Sequence, residues 1–455
     1  MLTKIFPFLD WFKNYTTVRL KMDAAAGLTV ALVLIPQSMA YAQLAGLPAY
    51  YGLYASLLPP VVAALFGSSR QLATGPVAVV SLMTAASLES IATAGSAGYL
   101  AYALLLALLV GIIQFVIGTL RLGVVINFLS HPVVNGFTNA AAIIIATSQL
   151  PKMFGVAIDK ADHHYQTVIW TLQAARHYTH WPTFLMGGVA FTIMIVLRRL
   201  YSRIPGVLAA VVVTTILSWA FQFDQHITIH KDAIQDSNVK VLLDTFNDAQ
   251  EMLPRLEKKR NEAAARQIRF KAHGQTIAML DAKRDVGVLN IKIDQFKYRV
   301  ALTRRDIRRQ LFYRRVSSNG TISFASRKEG TSSGNGRERI WRIDIGNSPL
   351  DLNHIPFSGG GQAVGQVPRG LPSLTRPVID VHVLGPLFFY AAIIALLGFM
   401  EAISVAKAMA AKTGQRLDPN QELIGQGLSN IVGAFTSGYP VSGSFSRSAV
   451  NLQAG

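Results

Sequence analysis

The sequence predicts an all-α polytopic membrane protein interrupted by one charged extramembrane insert. Three observations predict it. Of 455 residues only 15% are charged and 51% are hydrophobic, where a soluble domain carries about a quarter charged residues. The apolar residues gather in blocks long enough to cross a bilayer. The net charge of +18 is concentrated in a single segment between those blocks. The chain contains no cysteine, which excludes disulfides, thiolate metal sites and a Cys nucleophile.

The first block, residues 24–42, runs without a charge and is long enough to span about 30 Å of hydrocarbon. It starts too late and runs too long for a cleavable signal peptide. Further blocks lie near 50–66, 99–119, 132–149, 183–197, 205–222, 383–400 and 423–437, and a shorter one at 76–88. A soluble helix would show a polar face, and these do not. With the N-terminus cytoplasmic, 12 Lys and Arg fall on the inner short flanks against 3 (Lys152, Lys160 and Arg176) outside. That bias sets the orientation.

The segment 224–376 holds 27 of the 43 Lys and Arg and 16 of the 25 Asp and Glu, a net +11. Apolar residues at Val239, Leu242, Phe246, Ala249, Leu253 and Leu256 alternate spacings of three and four, as in a heptad seam. A second seam follows at Leu289, Ile293, Phe296, Val300 and Ile307, beyond a polar stretch with Gly274. The expected structure is an antiparallel helical hairpin, followed by short strands over 311–326 and 339–345 around Ser-Asn-Gly and a Ser/Gly-rich linker at 331–336. The topology places this insert outside the cytoplasm, so its charge does not argue for nucleic acid. The domain reading is 1–223 membrane, 224–376 insert, 377–455 membrane.

Two short elements differ from the spanning blocks. GSSRQLATGPVAVV (67–80) leads through Gly75-Pro76 into a short apolar helix, with proline expected in the first turn and Thr74 as its N-cap. SGYPVSGSFSRSAV (437–450) repeats the pattern with Ser442 or Ser444 as cap. Gln37 lies 39 residues before Pro76, and Glu401 lies 42 before Gly443. Paired, Gly/Pro-marked half-helices in corresponding positions point to a transporter's binding site. Each N-terminus offers unbonded N–H groups and about +0.5 elementary charge, so two of them facing each other suit a small anion. Ser444 and Ser446 add hydroxyls and Arg447 a cation. Intramembrane charge is costly, which marks Arg447 and Glu401 as functional candidates. Gln37 also fits a role as helix–helix glue, and Tyr41 and Phe445 fit packing roles. The sequence carries no P-loop, no metal-ligand spacing and no nucleophile–base set. It is therefore read as neither an enzyme nor a holder of a cofactor or metal.

Several stretches carry a family resemblance. DAAAGLTVALVLIPQSMAYAQLAGLPAYYGLYASLLPP (23–60), GSSRQLATGPVAVVSL (67–82), NGFTNAAAIIIATSQL (135–150), GFMEAISVAKAMA (398–410) and NQELIGQGLSNIVGAFTSGYPVSGSFSRSAVN (420–451) resemble the SulP sulfate permease family, the bacterial relatives of solute-carrier family 26. The resemblance implies two inverted repeats of seven helices, here the first repeat plus the start of the second, with separate core and gate domains. It implies secondary anion transport of elevator type, most often of sulfate, with bicarbonate or dicarboxylates as alternatives. It places the substrate among Pro76, Val77 and Ala78 on one side and Ser444, Phe445, Ser446 and Arg447 on the other, with Gln37 and Tyr41 completing the cradle. It ties Glu401 to a coupling proton or sodium. It further implies a homodimer in the bilayer of the bacterial inner membrane, the insert lying on the periplasmic side. The family's last four helices and STAS domain are not among these 455 residues, so the chain is read as C-terminally incomplete, either a fragment of a longer protein or the product of a disrupted reading frame. The runner-up reading is a non-transporting scaffold that anchors the basic hairpin for a partner.

Overall fold

The computed structural model describes residues 7–10, 15–123, 131–156, 158, 163–200, 206–223, 225–316, 322–326, 340–346, 349–360 and 367–454. In chain order its elements are α1 (Thr17–Leu44), α2 (Tyr50–Ala55), α3 (Leu58–Phe66), β1 (Ala73–Gly75), α4 (Ala78–Glu89), α5 (Ala97–Thr119), α6 (His131–Ser148), α7 (Leu150–Phe154), α8 (His164–Tyr178), α9 (Trp181–Leu200) and α10 (Gly206–Ala220). There follow β2 (His226–Ile229), α11 (Ser237–Ala272), α12 (Thr276–Arg309), β3 (Phe312–Val316), β4 (Ile322–Ser326), β5 (Ile340–Ile343) and β6 (Ile355–Ser358). The chain closes with α13 (Val381–Thr413), α14 (Pro419–Phe435), β7 (Ser442–Ser444) and α15 (Phe445–Ala454). They form two compact units, Met1–Ala141 with Gly365–Gly455, and Ala142–Val364.

The first unit is built where the two ends of the chain meet. Helix α1 starts at Thr16, whose hydroxyl accepts from Arg19 N at 3.3 Å. Helix α5 starts at Ser96, whose hydroxyl accepts from Tyr99 N at 3.2 Å. These side chains satisfy N–H groups that the helix itself leaves open. The apolar core joins Leu88, Leu105, Leu106 and Val110 to Leu387, Ala391 and Ile394. Among the described helices, α5 and most of α13 are long and apolar enough to cross a bilayer, and Tyr50–Phe66, Ala78–Glu89 and Ala209–Ala220 are shorter apolar helices.

A ladder of polar side chains runs through α14. Glu422, Gln426, Ser429 and Asn430 are all buried; Glu422, Gln426 and Asn430 follow one another one helix turn apart on one face, with Ser429 beside Asn430. Glu422 accepts from Ser68 N at 2.9 Å and Ser69 N at 3.0 Å. Ser429 donates to Pro59 O at 2.8 Å. Asn430 donates to Gln114 Oε1 at 3.0 Å and accepts from Val441 N at 2.8 Å. Apart from the bond to Val441, each ties α14 to a segment distant in sequence, and all are made where an unpaired polar group would be costly.

In the second unit α11 and α12 pair as the expected hairpin, with a turn at 273–275. Val239, Leu243, Phe246, Ala249 and Leu253 of α11 are buried with Ile293, Val300 and Ile307 of α12. The seam differs from expectation in both helices: Leu289 of α12 is half-buried and outside the core, and in α11 Leu243 is fully buried while Leu242 packs only partly. For α11 the reason lies at the base, where the helix also covers a sheet and turns its face toward it. That five-stranded sheet has the order β2-β6-β5-β3-β4, with neighbouring strands antiparallel. Its core holds Phe312, Phe324, Trp341 and Phe357, with Phe324 and Phe357 rings 4.5 Å apart. The strands β3, β4 and β5 lie where the sequence pattern puts them. The Ser-Asn-Gly turn and the 331–336 linker lie outside the described residues. Strands β2 and β6 lie outside the stretches that the sequence pattern marks and are recognisable only once paired with each other. The base is fastened by Lys231 on Asp244 at 2.5 Å. Asn247 accepts from Leu350 N and donates to Leu350 O, both at 2.8 Å.

Candidate functional site

The two half-helices meet through their leading strands. β1 and β7 pair antiparallel, with Ala73 opposite Ser444, Thr74 opposite Gly443 and Gly75 opposite Ser442. This places the N-termini of α4 and α15 beside one crossing. Both half-helices pack against α1 and against α13, so Gln37, Tyr41 and Glu401 come from helices that flank the crossing.

Two glycines permit the approach. A Cβ on Gly443 would lie 2.7 Å from Leu72 Cδ1 and 3.0 Å from Ala402 Cα. Gly75 has φ +153°, and a Cβ there would lie 3.3 Å from Arg447 Nη2. Any larger residue at Gly443 pushes the strand off α13, and any side chain at Gly75 is strained.

The caps differ from the sequence expectation on one side. The N-cap of α4 is Val77, which makes no side-chain capping bond. Thr74 is not the cap: it sits in β1, where its hydroxyl accepts from Gln426 Nε2 at 2.8 Å. Pro76 also falls before the helix rather than in its first turn, because the β1–β7 ladder holds the chain extended up to Val77. The leading N–H groups of α4 are thus without a side-chain cap. On the other side Ser444 does occupy the cap position of α15, accepting from Arg447 N at 3.5 Å, while Ser442 donates to Gly398 O at 2.6 Å.

Arg447 is fully buried. Its Nη1 donates to Pro76 O at 2.8 Å, while among the described residues Nε and Nη2 have no partner. Two more buried oxygens have no partner among the described residues, Gln37 Oε1 and Glu401 Oε2. Arg447, Glu401 and Tyr41 lie within electrostatic reach of one another. No hydrogen bond joins Arg447 to Glu401. A buried guanidinium that keeps two donor atoms open, near a carboxylate it does not touch, is poised for an anionic third party.

The nine candidate cradle residues divide. Pro76 and Val77 are buried, Ala78 is half-buried, and Ser444 is buried with its hydroxyl 3.3 Å from Ser446 Oγ. Gln37 and Tyr41 are half-buried. Phe445 and Ser446, in the first turn of α15, are exposed. Sequence reasoning missed the supporting residues. Ser448 accepts from Ala73 N at 2.9 Å, Asn451 donates to Gln71 O at 3.1 Å, and Tyr439 bonds Ser81 at 3.1 Å. The Glu422–Gln426–Asn430 ladder holds the approach strands from behind. Its signal was available: three polar residues at intervals of four, on a helix whose remaining polar residues are Asn420, Gln421 and Ser429.

Residues 20–257 and 352–455 match the model of the sulfate permease family. The chain belongs to the sulfate permease family. Within it, the chain is 31% identical over 448 residues to sulfate transporter 4.1, chloroplastic, of Arabidopsis thaliana, covering 98% of the chain and 47% of that protein. It is 30% identical to the sodium-independent sulfate anion transporter of Bos taurus, covering 99% of the chain and 57% of that protein. The chain therefore spans about half the length of the curated relatives it matches. Its fold resembles the overall structure of SLC26A9, with a TM-score of 0.64 at 20% identity, over 100% of the chain and 54% of that structure. It also resembles the transmembrane domain of a cyanobacterial bicarbonate transporter, BicA, with a TM-score of 0.58 at 19% identity, over 97% of the chain and 79% of that domain. The permease fold is thus a multi-pass membrane fold of inverted repeats. The family match leaves out 258–351, most of the hairpin and three strands of the sheet.

Proposed function

We infer that this chain forms the anion-binding part of a secondary active transporter that carries sulfate. The observation that carries the reading is the buried Arg447 with two unpartnered donor atoms, set beside an uncapped half-helix N-terminus. A tetrahedral oxyanion bound there would accept from Nε and Nη2, from N–H groups leading α4, and from the Ser444 and Ser446 hydroxyls. These donors would replace water around the ion without a second full charge. Gln37 and Tyr41 would close the α1 side, and Pro76, Val77, Ala78 and Phe445 would shape the walls.

In this reading Glu401 carries the coupling proton. Its open Oε2 lies near enough to Arg447 to feel whether an anion is present, so substrate and proton bind as one coupled event. The half-helices and α13 would move as a body against the rest of the membrane part, as an elevator. Segments 1–223 and 377–455 are the first repeat and the beginning of the second, and 224–376 the extracytoplasmic insert. The sulfate-transporting relatives at 30–31% identity support sulfate over other anions.

Uptake of labelled sulfate, bicarbonate and fumarate into cells expressing the intact protein tests this, at two pH values with and without sodium. Sulfate uptake that rises at low pH and ignores sodium is expected. Uptake of none of the three anions would favour the scaffold reading, and sodium dependence would replace the proton.

A further inference from the structure

Gln426 is fully buried in α14, yet only the donor half of its amide is engaged. Its Nε2 donates to Thr74 Oγ1 at 2.8 Å and to Glu422 Oε1 at 3.4 Å. Its Oε1 has no partner among the described residues. A buried acceptor left open is costly, and an apolar side chain of similar size would avoid that cost. What the amide supplies in return is its donor. Glu422 decides which end of the amide does the donating. That carboxylate is itself held by Ser68 N and Ser69 N, and an amide turned the other way would set Oε1 against an anionic oxygen.

Thr74 is the middle residue of β1, a strand of three residues. So short a ladder is marginal on its own, and a slip by one residue turns its side chains to the other face. Two side chains hold β1 from outside the ladder: Ser448 accepts from Ala73 N at 2.9 Å, and Gln426 donates to Thr74. Ser448 lies on α15 beside Arg447 and ties one half-helix to the other. Gln426 lies on α14 and gives β1 a reference outside both. Two residues beyond Thr74 comes Pro76, whose carbonyl accepts from Arg447 Nη1 at 2.8 Å. A line of contacts thus runs from Glu422 through Gln426 and Thr74 to the Pro76 carbonyl, and ends on the guanidinium. We propose that Gln426 is a positioning residue for the anion site: by holding Thr74 it fixes where the Pro76 carbonyl stands, and so aims the open donors of Arg447. This role rests on the reading of Arg447 as the cation that binds the anion. Gln426 acts through Thr74 and Arg447 and does not touch the anion itself.

Calorimetric titration of the purified intact protein with sulfate separates this role from a merely structural one. A folding defect lowers the number of sites that bind, whereas misaimed donors raise Kd at an unchanged number of sites. Gln426→Met removes the donor and Thr74→Val removes the acceptor, each with little change of shape. Each should raise Kd at least about fivefold at unchanged stoichiometry. Thr74→Ser keeps the hydroxyl and should bind as the wild type does. The double variant, Gln426→Met with Thr74→Val, should match either single change, because all three lose the same bond. It leaves neither partner of that bond buried and unpaired, so its Kd decides the matter if a single variant fails to fold. Arg447→Ala is the control for the site itself. Wild-type Kd in the Gln426 and Thr74 variants, with affinity lost in Arg447→Ala, would overturn the positioning role and leave the anion site standing. A fall in stoichiometry alone would also overturn it. Wild-type Kd in Arg447→Ala, or no sulfate binding by the wild type, would overturn the reading of the site and the positioning role with it.

Discussion

Arg447 reaches across 371 residues of sequence to donate to the Pro76 carbonyl at 2.8 Å. The bond joins the end of one half-helix approach to the first turn of the other. It fixes the guanidinium at the crossing and leaves its other donors open. The position of that cation is therefore set by the backbone of the opposite repeat, and the account of the site depends on it.

The first prediction follows from that bond. Arg447→Lys keeps the charge but cannot both reach Pro76 O and present a planar pair of donors. Sulfate uptake should fall at least about tenfold, since a charge-assisted hydrogen bond is worth about 1.5–3 kcal/mol. Uptake by the lysine variant at the wild-type rate would show that the fork geometry is unused.

Glu401→Gln keeps the shape of the side chain and removes its titration. Sulfate uptake that persists but no longer varies with pH is the expected result. A pH profile unchanged from wild type removes Glu401 from the coupling.

Gly443→Val tests the crossing itself. The added atoms meet Leu72 and Ala402, and overpacking of this kind costs about 1–3 kcal/mol. A lower unfolding temperature in detergent is expected, together with lost uptake. Wild-type stability would mean that β7 moves freely off α13.

Glu422→Ala removes the acceptor for Ser68 N, Ser69 N and the Ser68 hydroxyl. Leaving those donors unpaired should cost about 2–4 kcal/mol, read as a drop in unfolding temperature. Glu422→Gln should fall between this variant and wild type.

In the insert, the Asp351 carboxylate accepts from the His354 ring at 2.9 Å and from Asn353 N at 2.9 Å. These bonds, that to His354 foremost, hold its pKa below the usual carboxylate range. The stabilisation is present above the unfolded-state pKa and is lost as pH falls through the lower folded value. Carboxyl chemical shifts should therefore titrate late on acidification, and His354→Ala should move the midpoint upward.

Much of this architecture was legible in the sequence. Uncharged blocks announced apolar helices, of which α5 and most of α13 are long enough to span among the described residues, and the Gly75-Pro76 and Ser437–Val450 stretches announced the half-helices. Arg447 and Glu401 stood out because charge is rare in such surroundings. The rest depended on pairing. Thr74 has the chemistry of an N-cap, but its partner is Gln426, and only the β1–β7 register decides between the two. Strands β2 and β6 are distant in sequence and take shape by pairing with each other. Leu242 and Leu243 are interchangeable in a heptad until the sheet beneath α11 selects one.

The most direct measurement is sulfate binding to the purified protein, read by isothermal titration at low ionic strength for the wild type and for Arg447→Ala. The account predicts saturable binding by the wild type and loss of at least about tenfold in affinity in the variant, with Glu401→Gln still binding. Equal affinity in wild type and Arg447→Ala would contradict it.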